Sequence, residues 1–569
     1  MKKSLSLLLA GIVVSGSMVS LTGCMGSDGV KIDKNKTQLY VGNYNGGVGD
    51  KWLDEVITRF ETEYADYQLN GKTGVQIIKD STKNNTGKSL GSSISASPNE
   101  VFFVPQINYN EFVSQKLIRD ITELVTTPNP DDGNKTIASK LYDVDKENLA
   151  IDGKYYGIPH YEVYNGLTYD AYMFESEKLY FAGDPDEDPE DVKKNGREFI
   201  INKNTTKSCG PNGKYGDYDD GLPSSYQEFY KMMDKAKKAG YVMVFTGAQT
   251  HYSQMLPTAL YANYVGIDGI NVNLNLNSNG KEVEVIKSFT GNTPNVTKEV
   301  ISEENGNQYL VYNMAGIYYG LELAAKIFGD SSSYYPDSSS GSFEYITAQK
   351  TFLESGLDGS KKIAMFIEGS YWYNEAASYG IVDRVANNYP LFATQKDLRF
   401  MPLPQQYEGT VTEGNGGAPV LVDSASAYAF INATTKSEKV DLAEKFLAFC
   451  YTDEELIEFT RNTSGTIRGL NYDYAPVINE LSGFGKSVLE MRAAAKEGNT
   501  FVKESSKNPI YVKNKSVLTL DTAYEWLSSP NCGNGYTHLW TAVHQGRRSA
   551  KDYFEGMWIT KSYWDKNFN

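Results

Sequence analysis

Cysteine, histidine and surplus positive charge are what this chain has least of. Four cysteines in 569 residues are too few for a disulfide scaffold. Four histidines, His160, His251, His538 and His544, include no pair at the spacing of a zinc motif. Lys and Arg number 55 against 71 Asp and Glu, a net charge of −16. No basic stripe offsets it, which argues against a nucleic-acid partner. Hydrolase and nucleotide signatures are missing too. Gly87-Lys88-Ser89-Leu90-Gly91 has the letters of a nucleophile elbow but not the apolar strand that must precede one. The same Gly-Lys-Ser fails as a phosphate loop because residue 82 is Thr.

Long apolar runs are equally rare. The one at Leu5–Val19, behind Lys2 and Lys3, is too short to span a bilayer comfortably and leads into Leu21-Thr22-Gly23-Cys24. This pattern resembles a bacterial lipoprotein signal. The resemblance implies removal of residues 1–23 and a diacylglycerol on Cys24, whose two acyl chains suffice for stable anchoring. Residues 24–36 then read as a polar tether. Of the remaining cysteines, Cys450 falls on the apolar side of a helix as a free thiol. Cys209 and Cys532 sit in Gly/Asn/Pro-rich loops and either pair or stay free.

What the chain does have is length, aromatics and tyrosine. At roughly 100–200 residues per domain it predicts two to four domains or two large lobes. Aromatics make up 13%, with 42 Tyr, a side chain that joins an apolar ring to a polar tip. In order, Leu39–Tyr44 reads as a strand and Gly46, Gly47 and Gly49 as a loop. Leu53, Val56, Ile57, Phe60 and Tyr64 follow at helical spacing. Val75–Ile78 is a second strand, and Val101–Val104 is a continuous apolar run typical of a strand covered on both faces. Such an alternation gives a doubly wound parallel sheet, with ligand loops beyond the strand ends at 43–45 and 105–108. The acidic stretches Asp184–Asp191 and Gly216–Gly221 lack the spacing of an EF-hand and read as solvated loops. Leu222–Gly240 is a helix with Ser224 as cap, Gln227 completing the box and Gly240 as stop. Thr452 and Glu455 form a second box. Residues 265–310 carry too weak a pattern to assign.

Several stretches resemble family 1 extracellular solute-binding proteins, which deliver sugars to ABC importers. They are DGKYYGIP at 152–159 with the aromatic and acidic cluster after it, GLTYDAYMF at 166–174, EVFFVPQINYNEFV at 100–113, AMFIEGSYWY at 364–373, LRFMPLP at 398–404, ASAYAFIN at 425–432, YTDEEL at 451–456 and TSGTIRG at 463–469. The resemblance runs from Leu39 to about Leu470. It implies an α/β, two-lobed periplasmic-binding-protein-like fold, each lobe a doubly wound sheet flanked by helices, joined by hinge crossings. Lobe 1 is expected at 37–160 and 404–427, lobe 2 at 161–403 and 428–569.

The same resemblance implies a ligand set of Asn43, Asn45, Gln106, Asn108, Tyr161, Glu162, Tyr164, Tyr371, Trp372 and Arg468. At least one of the aromatics 371–373 should leave the core, because successive helical side chains point about 100° apart. Arg468 either binds sugar hydroxyls or pairs with a carboxylate. Glu162 either accepts hydrogen bonds from a sugar or, in a membrane-anchored glycoside hydrolase, acts as an acid; the crossing context favours binding. Maltodextrin-binding relatives carry an aromatic and an Asp-Arg pair where this chain has Val104–Asn108, so maltose is not the implied cargo. The expectation is a neutral oligosaccharide, with a peptide or other solute as the alternative. An ABC permease and the membrane, through Cys24, are the expected partners of a monomer that needs no metal and no cofactor.

Overall fold

The computed structural model describes residues 31–184, 186–246, 250–330, 344–357, 359–405, 418–423, 425–481, 483–503, 508–510, 538–544 and 546–568. Cys24 and the signal, Gln249, Cys532 and Trp526 lie outside the described residues.

The first sheet is built as the alternation predicts. Thr37–Tyr44 pairs in parallel with Val75–Thr82 on one side and Val101–Val104 on the other. All four residues of Val101–Val104 are fully buried, as a strand covered on both faces requires. Two further strands extend the sheet, Tyr428–Ile431 antiparallel to Val101–Val104 and Ile158–Pro159 antiparallel to Tyr428–Ile431. The Lys51–Glu63 helix buries Trp52, Leu53, Val56 and Phe60. Its Phe60 meets Phe446 edge-on at 5.0 Å, so the Ser437–Cys450 helix belongs to this lobe.

That pairing corrects the expected boundary. Residues after 427 do not pass to the second lobe: Tyr428–Ile431 supplies Phe430 and Ile431 to the first core, and the helices at 437–450 and 453–462 add Phe446, Leu447, Leu456 and Phe459. The chain crosses for the third time only between Asn462 and Gly483, where the Gly483–Glu497 helix packs on the second sheet and Ser487 Oγ accepts from Phe400 N at 2.8 Å.

The second sheet orders Leu398–Met401, Asn165–Asp170, Ile363–Gly369 and Val242–Thr246, mixed in direction. The two-residue alternation of strands divides its side chains. Phe245, Phe366 and Phe400 enter one cluster, and Val244, Met365, Ile367 and Met401 the other. The Asn-rich segment forms the helix Met255–Asn275, broken at Gly266, and a hairpin of Val283–Thr290 with Thr293–Glu299. Trp540 and Trp564 pack in the larger cluster with Trp558 against it.

The caps shift slightly. Ser225, not Ser224, caps the Tyr226–Ala239 helix, accepting from Glu228 N at 3.3 Å, and Gly240 ends it with a left-handed φ of 77°. Thr452 accepts from Glu455 N, but the Glu455 carboxylate turns to Arg59 at 2.6 and 2.7 Å, so only half of that box forms. Cys450 is a buried free thiol and Cys209 a half-buried one. Among the described residues no helix is long and apolar enough to cross a membrane.

Candidate functional site

The loop after the first strand, Asn45–Gly49, meets the second lobe directly. Gly47 N donates to Glu375 Oε1 at 3.0 Å, Tyr379 Oη to the Asn45 carbonyl at 2.6 Å, and Asn374 Nδ2 to the Val48 carbonyl. Gly47 and Gly49 have φ of 56° and 68°, a region open to glycine at little cost. A Cβ on Gly49 would stand 1.9 Å from Ser378 Oγ. Lys83, beyond the second strand, reaches across to lie 4.4 Å above the Tyr345 ring and 4.7 Å above Tyr379.

Tyr161 and Tyr371 close the base of this contact. A Cβ on Gly47 would lie 3.3 Å from the Tyr161 hydroxyl and 4.0 Å from the Tyr371 ring. Tyr371 caps the Trp372–Ser378 helix, and Tyr371, Glu375 and Tyr379 follow at four-residue intervals, one face of a helix. Glu368 sits at the end of the strand below. Burial and the neighbouring Glu375 push its carboxyl well above the usual range, only partly offset by Gly369 N at 3.0 Å and by Tyr371. Burial also raises Glu375, against Gln349 Nε2 at 2.8 Å and Gly47 N, and pushes the Tyr44 hydroxyl up to about 12. The junction therefore joins two buried carboxyls and several aromatic rings, with the Lys83 ammonium at its edge.

Of the ten residues expected to hold a ligand, Asn45, Tyr161 and Tyr371 come together here. The others do not. Asn43 is buried and shapes the glycine loop, its Nδ2 donating to the Gly49 carbonyl at 3.3 Å and to Ser81 Oγ at 3.2 Å. Gln106 and Asn108 are exposed, Asn108 capping the Tyr109–Ser114 helix. Trp372 is fully buried, its indole N–H bonded to Thr168 Oγ1 at 2.9 Å and its ring edge-on to Phe366 at 5.2 Å. It is a core residue.

Arg468 is buried among aromatic rings and pairs with no carboxylate among the described residues. Its guanidinium lies 4.0 Å from the Phe459 ring, 4.4 Å from Trp52 and 5.0 Å from Tyr451, a favourable setting for a desolvated cation. Its Nη1 is 2.5 Å from His160 Nδ1. Burial and that cation hold the His160 pKa well below its ordinary value, so the imidazole is neutral and Nδ1 accepts.

Glu162 and Tyr164 belong to a buried junction at the crossings. Arg492 Nε donates to Glu162 Oε2 at 3.0 Å and to Tyr164 Oη at 3.0 Å, its Nη2 donates to Tyr142 Oη at 2.7 Å, and its guanidinium lies 3.5 Å from the Phe501 ring. Beside it, Asp423 on the second crossing accepts from Val163 N on the first at 3.0 Å. Lys503, 3.7 Å from Asp423, also bonds Asp145 at 2.9 Å and the Gly469 carbonyl of the third crossing at 3.1 Å. Two side chains thus tie three crossings together. Burial, opposed by Lys503, raises the Asp423 carboxyl to about 7.

Sequence reasoning missed Tyr44, Lys83, Glu368, Glu375 and Tyr379. The four-residue interval running from Tyr371 was the available signal for the last two.

Two sheet-and-helix lobes, three crossings and a junction lined by both lobes define the architecture of a two-lobed solute-binding protein. In fold the chain is similar to a "Chitin oligosaccharide binding protein", with a TM-score of 0.52, 14% identity, and 94% of this chain and 99% of that one covered. It is similar as well to "SBP RafE in complex with raffinose", with a TM-score of 0.52, 13% identity, and 92% and 99% covered. No protein-family model matches the sequence, and no curated protein does.

Proposed function

We propose that this chain is the extracellular, lipid-anchored binding component of an ABC importer, capturing a neutral oligosaccharide between its lobes and handing it to a permease. The carrying observation is the convergence of Tyr161 and Tyr371 on the glycine loop beside the buried carboxyls of Glu368 and Glu375. Tyr rings stack on the apolar faces of pyranoses while hydroxyls and carboxyls exchange hydrogen bonds with sugar hydroxyls. The two structural neighbours bind, by their names, a chitin oligosaccharide and raffinose, which supports the sugar class. Ligands buried at a lobe junction and sealed by hinge closure fit this architecture. The anchor at Cys24 and the permease rest on the leader sequence and on the resemblance.

Glu162, the carboxyl a glycoside hydrolase could use as its acid, bonds Arg492 and Tyr164, which supports the binding reading. Calorimetric titration of the protein with neutral oligosaccharides of differing linkage, followed by chromatography of each sugar, tests the reading. Heat from one linkage class with the sugar recovered intact is the expected result. Cleaved sugar would make the protein a glycoside hydrolase, and silence across the panel, answered by a peptide library, would move the cargo class.

A further inference from the structure

The acidic loop before the Tyr226–Ala239 helix is not the solvated turn that its composition suggests. Asp219 is fully buried. One carboxylate oxygen from each of Asp217, Asp219 and Asp220 lies within 4.8 Å of the others. Asn212 N reaches Asp219 Oδ2 at 3.0 Å and Gly216 N reaches Asp220 Oδ2 at 2.8 Å, while Asp217 accepts from Asn212 Nδ2 at 2.7 Å and from Asp219 N at 3.4 Å. Asp219 Oδ1 and Asp220 Oδ1 are sealed from solvent without a hydrogen-bond donor among the described residues. Lys207 is the cation that acts on Asp220, yet its ammonium is held 3.0 Å from Glu175 and 3.5 Å from the Tyr180 ring.

A buried carboxylate facing two others costs several kcal/mol unless a cation pairs with it or it takes up a proton. We propose that Asp217, Asp219 and Asp220 form a calcium site, separate from the lobe junction.

The donors are all oxygen, which selects a hard cation, and three carboxylates within four residues of irregular backbone suit the flexible, high-coordination shell of Ca²⁺. Mg²⁺ demands near-octahedral geometry and keeps most of its water. The loop is a rigid frame for an ion: Phe181 N bonds the Gly221 carbonyl at 2.8 Å, Gly221 N the Ser208 carbonyl at 2.7 Å, and Leu222 N the Asp219 carbonyl at 3.0 Å. An ion here ties the 180–222 insertion to the start of the Tyr226–Ala239 helix.

The test is calorimetric titration of Ca²⁺ into chelator-treated protein, with melting curves in calcium and in chelator. One Ca²⁺ per chain and a higher melting temperature in calcium are expected, because a ligand that binds only the folded state stabilises it. Asp217→Asn and Asp219→Asn should each weaken binding by at least about tenfold, since affinity follows ligand charge. Asp186→Asn, in the neighbouring acidic stretch, should leave it unchanged. Asp217 is exposed, so its variant decides the matter if Asp219→Asn does not fold. Absence of calcium binding, binding indifferent to Asp217→Asn, or Mg²⁺ bound as tightly as Ca²⁺ overturns the proposal.

Discussion

Adjacent aromatics on one helix have opposite duties. Trp372 fills the second lobe's core and Tyr371 faces the first lobe, because a step of about 100° separates them. Trp372→Ala should therefore cost about 3–5 kcal/mol in a denaturant titration, the penalty of emptying a large core site. Tyr371→Ala should leave stability within about 1 kcal/mol and weaken oligosaccharide binding by about tenfold, roughly 1.4 kcal/mol. The reverse pattern would place the ligand against Trp372. A second residue-scale expectation concerns Glu162 and Arg492, both completely buried. Arg492→Met leaves Glu162 as an unpaired buried charge and should destabilise by about 3–5 kcal/mol, while pairing it with Glu162→Gln should recover most of the loss. Equal losses in the single and double variants would show that the pair does not act as a unit.

Partners were the least legible part of the sequence at this scale. That Glu162 would be enclosed by aromatics could be read from Tyr161 and Tyr164 beside it. That its counter-ion stands 330 positions away could not, since nothing local marks Arg492 as buried. Arg468 shows the same limit. A glycine-flanked Arg in a Thr-rich loop reads as a ligand or surface group, and only the fold brings Trp52, Tyr451 and Phe459 around it.

At the scale of elements, the glycine loop and the Trp372–Ser378 helix join the two lobes, and the proposed function makes this the contact that closure forms. The close approach of Gly49 to Ser378 makes it testable. Gly49→Ala should hold the lobes apart and reduce sugar affinity by about tenfold or more, since binding draws on the closed population. Ser378→Gly in the same chain should recover most of it. No loss of affinity in Gly49→Ala would mean that the ligand does not need this edge closed.

The elements themselves were largely readable. Val101–Val104 declared a doubly covered strand, and Gly240 declared a helix end. The stretch at 425–432 carries the resemblance but no local mark of which sheet it completes, and the pairing of Tyr428–Ile431 with Val101–Val104 puts it in the first lobe rather than the second. The long helix over 255–275 was missed: Asn and Gly are poor helix formers, and tertiary packing of Leu260, Tyr261 and Ile270 overrides them. The acidic loop at 216–221 reads as solvated because it lacks EF-hand spacing, and only the fold shows Asp219 sealed inside.

For the whole molecule, the three crossings act as one joint. Asp423 and Lys503 hold all three together, and Arg492 braces the first against the last strand before residue 504. Under the proposed function, rotation of one lobe on the other about this joint is the motion that would make and break the contacts of the glycine loop and Lys83 at the far edge. The central claim is that a sugar is taken up between lobes that close on it. X-ray scattering of the protein alone and with the oligosaccharide that gives heat on titration measures this directly. The account predicts a smaller radius of gyration and a shorter maximum dimension with the sugar bound. An unchanged profile at saturation would contradict it and place the ligand on a single lobe.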